Sequence, residues 1–103
     1  MSERGLRLLG QGVRAGRVVF GTAGVRAGLQ RGEVTLVVVA ANRSARTGEK
    51  VERLARARGV PVLRGPPDEA MGRRLGRTAL QAVGVTDGRL AAGIAAHAWQ
   101  QEV

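Results

Sequence analysis

Three sets of residues in this 103-residue chain could do chemistry: one histidine, His97, a total of 8 carboxylates, and a surplus of cations. Acid–base catalysis, nucleophilic catalysis and metal binding all need several such groups to converge. His97 has no second His and no Cys to complete a ligand set or a triad. Spaced with Leu90, Ile94 and Ala98 on one helix face, it reads as a packed core residue. Glu49 and Glu52 precede Arg53 and Arg56 at the spacing of ion pairs on the outside of a helix. Asp68 and Glu69 suit a helix start, where carboxylates complement the positive end of the dipole. The chain is therefore expected not to be an enzyme, and to need no metal, cofactor or small-molecule substrate.

The cations offer a different chemistry. Lys and Arg total 17 against 8 Asp and Glu, a formal net charge of +9, and such a surplus on a small body favours a polyanion such as nucleic acid or an anionic membrane surface. All but Lys50 are Arg, whose planar fork of donors fits phosphate or guanine in two-point contacts. A coding or thermal bias toward Arg would leave the same composition. The cations stand near three turns: Arg17 and Arg26, then Arg43 and Arg46, then Arg73, Arg74 and Arg77. In an alternating α/β sheet the turns at one end of the strands lie side by side, and there these groups would form one patch. Phe20 and Trp99 are the only aromatic residues, too few for the stacking platforms of single-strand binders.

After Val18, Val19 and Phe20 comes Gly21-Thr22-Ala23-Gly24, a helix opening stripped of long side chains. The wider run to Gly28 has neither the Lys-Ser/Thr ending of a nucleoside-triphosphate loop nor the Gly-x-Gly-x-x-Gly spacing of dinucleotide folds. What remains is a helix start, whose outward amides attract phosphate. Small residues there would let a nucleic-acid backbone come close; through Ala27 and Gly28 they would equally let the helix lie against a neighbouring element.

The elements that position these groups follow from apolar spacing. Leu6, Leu9 and Val13 predict an amphipathic helix over 3–15 ended by Gly16, and Val18 to Phe20 a strand. Thr22 is the expected N-cap of the second helix, its hydroxyl accepting from the amide of Gly24 or Val25, with Val25 and Leu29 inward. Val34 to Ala40 read as a strand buried on both faces. A helix over 45–58 carries Val51, Leu54 and Ala55 inward, and Val60 to Leu63 form a strand that Pro61 assigns to a sheet edge or a strand start. Asp68 is the expected N-cap of a short helix ending near Gly76; Ala82 to Thr86 form the last strand and residues 89–101 the last helix.

Four strands alternating with five helices in a single domain, residues 1–103, predict an α/β fold: a three-layer α/β/α sandwich around a small four-stranded mixed sheet. The longest apolar run, Leu36 to Ala41, falls far short of the roughly 20 residues of a membrane span. The opening residues lack the apolar region of a signal peptide. A cytoplasmic protein without a membrane partner is expected, most simply a monomer.

Several segments carry a family resemblance. Leu8 to Gly21, LLGQGVRAGRVVFG, resembles the opening of the small ribosomal proteins of the L-seven-Ae and L-thirty-e superfamily, above all its bacterial YlxQ-like branch. LVVVAANRSARTGEKV, MGRRLGR and AVGVTDG resemble later segments of that branch, in order, out to about Ile94. The resemblance implies an α/β/α sandwich that binds structured RNA, typically kink-turns, with ribosomal or transfer RNA and the ribosome as candidate partners.

In the family's kink-turn readers the helix after the first strand opens Gly-Thr-Asn-Glu-x-x-Lys or Gly-Thr-Lys-Gln-x-x-Lys, and those polar residues read sheared G·A pairs. Gly21 and Thr22 match, but Ala23, Gly24 and Ala27 occupy the polar positions. That implies weakened base reading, since one good two-point base contact gives about 1–3 kcal/mol of discrimination. The family's second contact, a loop that sets apolar side chains against an extruded nucleotide, falls at Arg77, Thr78, Ala79 and Leu80. After the second strand many relatives carry Glu-Asp, where this chain has Ala41-Asn42 and so lacks two charges that repel phosphate. Asn42, Arg17, Arg26, Arg43 and Arg46 complete the expected RNA-binding set. The other reading is a protein–protein module of the translation or transcription machinery that keeps the fold and has lost base reading.

Overall fold

The valine-rich segment becomes β2 (Leu36–Val39), and all four of its side chains are buried, as a strand covered on both faces requires. The computed structural model describes residues 1–97. Before β2 come α1 (Glu3–Arg14), β1 (Val18–Phe20) and α2 (Gly21–Gln30); after it come α3 (residues 45–57), β3 (Val62–Arg64), α4 (Asp68–Arg74), β4 (Ala82–Val85) and α5 (Gly88–Ala96). The sheet order is β1-β4-β2-β3. β4 runs antiparallel to both β1 and β2, while β3 lies parallel to β2 at the edge, so the sheet is mixed. Pro61, just before β3, has no N–H to lose there, and its carbonyl accepts from Val37 at 3.0 Å.

Alternation along β2 sorts the core into two. Leu36 and Val38 pack with Leu9, Met71 and Ile94 under α1, α4 and α5. Val37 and Val39 pack with Val25, Leu29, Val51 and Ala55 under α2 and α3. The result is the expected three-layer sandwich, each such side chain contributing about 1.5–3 kcal/mol by leaving water.

Local details depart from the periodicity. Of the expected inward residues of α1, Leu9 is fully buried and Val13 packs half-buried against the core, but Gly5 and Gly12 are buried as well, with Leu90 of α5 directly over Gly12. α3 is not uniform: α-helical turns at Ala45–Thr47 and Arg53–Ala57 flank a π-helical turn at Gly48–Glu52. A π turn shifts the register of the faces, and Glu52, expected on the outside with Arg56, has a side chain only 6 % exposed. Pro67 rather than Asp68 precedes α4 as its cap residue. The last helix is described to Ala96, with His97 its C-cap and half-buried; the expected stretch through Ala98 to Gln101 lies outside the described residues.

Candidate nucleic-acid interface

Three turns meet at one end of the sheet. β1 and β2 finish there and β4 begins there, with Phe20 opposite Val83 and Val39 opposite Ala82. A chain of polar contacts locks them together. Thr22 Oγ1 lies 3.2 Å from Thr47 Oγ1, and the Thr47 hydroxyl donates to Gln81 Oε1 at 3.4 Å. The same oxygen accepts from the Ser44 amide at 2.7 Å, and the Gln81 amide group donates to Asp68 at 3.1 Å. Asn42 donates to Asp68 Oδ1 at 2.9 Å and accepts from the Asp68 amide at 2.8 Å. Chiefly through that bond from Asn42, the Asp68 carboxyl is held below the usual carboxylate range. The lock fixes the start of α2, the β2–α3 turn and the α4–β4 loop relative to one another.

Around it stand the cations. Arg26, Arg46 and Lys50 converge with Thr22 and Ala23 on a hollow of about 230 Å³. Arg77 stands at the same end, its guanidinium carbon 3.9 Å from the centre of the Phe20 ring. Such a contact contributes about 0.5–1 kcal/mol at an exposed site, enough to give the loop before β4 a preferred pose. Thr78 and Ala79 beside it are exposed, whereas Leu80 is packed into the core and only 7 % exposed.

Two expected cations are elsewhere. Arg43 turns inward, donating to both oxygens of Glu52 at 2.9 and 3.0 Å; that bond raises the Arg43 guanidinium further above its ordinary value. Arg17 precedes β1, so the strand's 3 residues separate it from Gly21, a span of about 10 Å. It donates to Asp87 at 3.1 Å at the opposite end of the sheet. Arg74 is also engaged, held by Glu3 of α1.

The start of α2 is open. Phe20 precedes it and no side chain caps it; the Thr22 hydroxyl, expected to do so, faces Thr47 instead. The amides without an internal acceptor are then those of Gly21, Thr22 and Ala23, two residues earlier than Thr22 capping implies. Gly21 has φ of +80°, a left-handed conformation that lets the strand turn directly into the helix. The later glycines differ in kind. A Cβ at Gly28 would lie 2.6 Å from Val34 Cγ2, so packing requires a glycine there; one at Gly24 would meet nothing within 4 Å. Ala23 is exposed and Ala27 half-buried beside it.

A sequence model of the ribosomal protein L7Ae/L30e/S12e/Gadd45 family matches residues 3–92. The chain belongs to this family. A protein of unknown function from Bacillus halodurans is 27% identical and superposes with a TM-score of 0.86, over 92% of this chain and 96% of that one. The Giardia lamblia 15.5 kD RNA-binding protein, 21% identical, superposes with a TM-score of 0.75 over 92% of this chain and 84% of that one. A search of curated proteins found no match.

The absence of a side chain at position 24 is not a steric necessity, since Gly24 faces open space. Lys50 lines the hollow without having been expected there, although it stands one helical turn after Arg46. Gln81, which joins two of the three turns, has no signal in the sequence that marks it. Among the described residues there is no cluster of His, Cys, Asp and Glu able to hold a metal, and no helix long and apolar enough to cross a membrane.

Proposed function

We propose that this family member binds folded RNA at the end of the sheet where Arg26, Arg46, Lys50 and Arg77 surround the open start of α2. The convergence of Arg26, Arg46 and Lys50 on one hollow beside uncapped amides carries the reading. Guanidinium forks and helix-start amides both favour phosphate oxygens, and the small Ala23 and Gly24 leave a sugar-phosphate strand room to approach. With no polar side chain at 23, 24 or 27, the protein reads backbone and shape more than bases, the usual mode for folded RNA. Arg43 supports the site from behind through Glu52, and Arg17 stands apart from it.

The RNA class that family membership favours is the kink-turn, in a ribosomal or transfer RNA setting in the cytoplasm. Titrating a kink-turn RNA and a plain duplex of equal length in low salt tests the proposal. Binding to both with little preference is expected. Failure to bind either would end the RNA reading, and a preference of about a hundredfold for the kink-turn would show base reading intact.

The missing polar side chains at Ala23, Gly24 and Ala27 also favour a second reading, a docking module for an acidic protein face. A pull-down with and without ribonuclease separates the two, because a protein partner survives digestion of RNA.

A further inference from the structure

We propose that α1 carries a second phosphate site, separate from the first, so that the protein holds two RNA segments on opposite faces. The proposal rests on the RNA reading above. Arg4, Arg7, Gln11 and Arg14 recur at helical spacing on α1 and are all exposed, a stripe about 15 Å long. Arg7, Gln11 and Arg14, with Arg74 of α4, border a hollow of about 180 Å³. That is room for about six waters, the scale of a phosphodiester group and too small for a metabolite-sized ligand. Gly10 adjoins it and fills none of the space.

The walls are already arranged for an anion. Arg74 donates to Glu3 Oε2 at 3.0 Å and through its other terminal nitrogen to Oε1, which orients its guanidinium before any ligand arrives. Arg7 and Arg14 form no ion pair among the described residues. Three guanidinium groups thus face the hollow and a single carboxylate, Glu3, adjoins it. No aromatic side chain is among those lining it, and protein partners draw much of their binding energy from such anchors. A continuous polyanion needs only cations along its path, which the stripe supplies.

Position makes the site distinct. α1 and α4 cover the Leu36 and Val38 face of the sheet, while α2 and α3 cover the other. Arg7, Gln11 and Arg14 therefore belong to the helix layer across the sheet from Arg26, Arg46 and Lys50.

The test counts the short duplex RNAs held per protein by native mass spectrometry in low salt, for wild type, R7Q/R14Q and R26Q/R46Q/K50Q. Wild type is expected to hold two and each variant one, the second duplex binding to R7Q/R14Q about tenfold more weakly or worse because two phosphate contacts are lost. If wild type holds one duplex and R26Q/R46Q/K50Q holds none, or R7Q/R14Q holds two as wild type does, the second site is wrong and the first stands. If no RNA binds, both readings fail. Polyglutamate that displaces one duplex from wild type and none from R7Q/R14Q would assign the hollow to an acidic protein and overturn the proposal.

Discussion

Ala23→Asn, Gly24→Glu and Ala27→Lys together restore the side chains that kink-turn readers carry at the start of α2, and they test whether that start is aimed as the family's is. Nothing lies within 4 Å of a Cβ at Gly24, and Ala23 is exposed, so the additions displace no neighbour. Gly24→Glu gains about 0.5–1 kcal/mol of helix propensity and about 0.3 kcal/mol from a carboxylate in the first turn. Ala23→Asn and Ala27→Lys give back roughly the same, leaving stability near its starting value. Recognition should change far more. Each restored two-point base contact adds about 1–3 kcal/mol of discrimination, so even one at mid-range, about 2 kcal/mol, makes a thirtyfold preference at about 1.4 kcal/mol per tenfold. The assay is fluorescence anisotropy against a kink-turn RNA and the same RNA with its sheared G·A pairs replaced by Watson–Crick pairs. Wild type is expected to bind both about equally, and the variant to prefer the first by about thirtyfold. A variant with a native circular dichroism spectrum and no preference would refute the reasoning, as would a wild type that already discriminates.

Other outcomes follow from the packing and the ion pairs. Gly72→Ala places a Cβ 1.6 Å from the Thr78 carbonyl oxygen; because backbone must move, urea melts should show a loss of about 3 kcal/mol or more, and RNA affinity should fall with displacement of the Arg77–Ala79 loop. Arg43→Ala strands the buried Glu52, with only Arg56 at 4.0 Å as a second partner, and should cost about 3 kcal/mol; Glu52→Ala frees an Arg that can turn to water, so it should cost clearly less, and the reverse order in thermal melts would contradict this. Glu3, Asp68 and Asp87 are held below the ordinary carboxylate range, chiefly by Arg74, by Asn42 and by the Leu90 amide respectively. The unfolded chain then takes up these protons first, so stability is complete above about pH 5 and falls as pH drops through the unfolded and then the folded values. Asp68→Asn should flatten that acid decline in Tm measured from pH 7 to pH 2, and an unchanged profile would show that the lock does not contribute.

How much of this was legible depends on whether the signal was local. Leu36 to Ala41 is apolar without a break, and Leu36–Val39 lies buried in the centre of the sheet; Pro61 lacks an N–H, and β3 lies at the edge. The π turn was not legible because Gly48–Glu52 has ordinary helical composition, and the pairing of Glu52 with Arg43 is a tertiary contact. Thr22 has the chemistry of a cap, but the left-handed Gly21 starts the helix earlier and Thr47 takes the hydroxyl. Arg17 and Arg26 are near each other in sequence, yet a strand separates them, and the two ends of a strand open on opposite ends of a sheet. The small residues of α2 could not be sorted from sequence; coordinates sort them, Gly28 to packing and Gly24 to open surface.

The measurement closest to the central claim is the salt dependence of kink-turn RNA binding by wild type and by R26Q/R46Q/K50Q. With four cations on phosphates, wild-type log affinity should fall against log salt with a slope of about −3 to −4. Removing the three that share the α2 hollow should shrink its magnitude by about 2 to 3. A triple variant with the wild-type slope and affinity would contradict the account, because the RNA would then be held somewhere other than the start of α2.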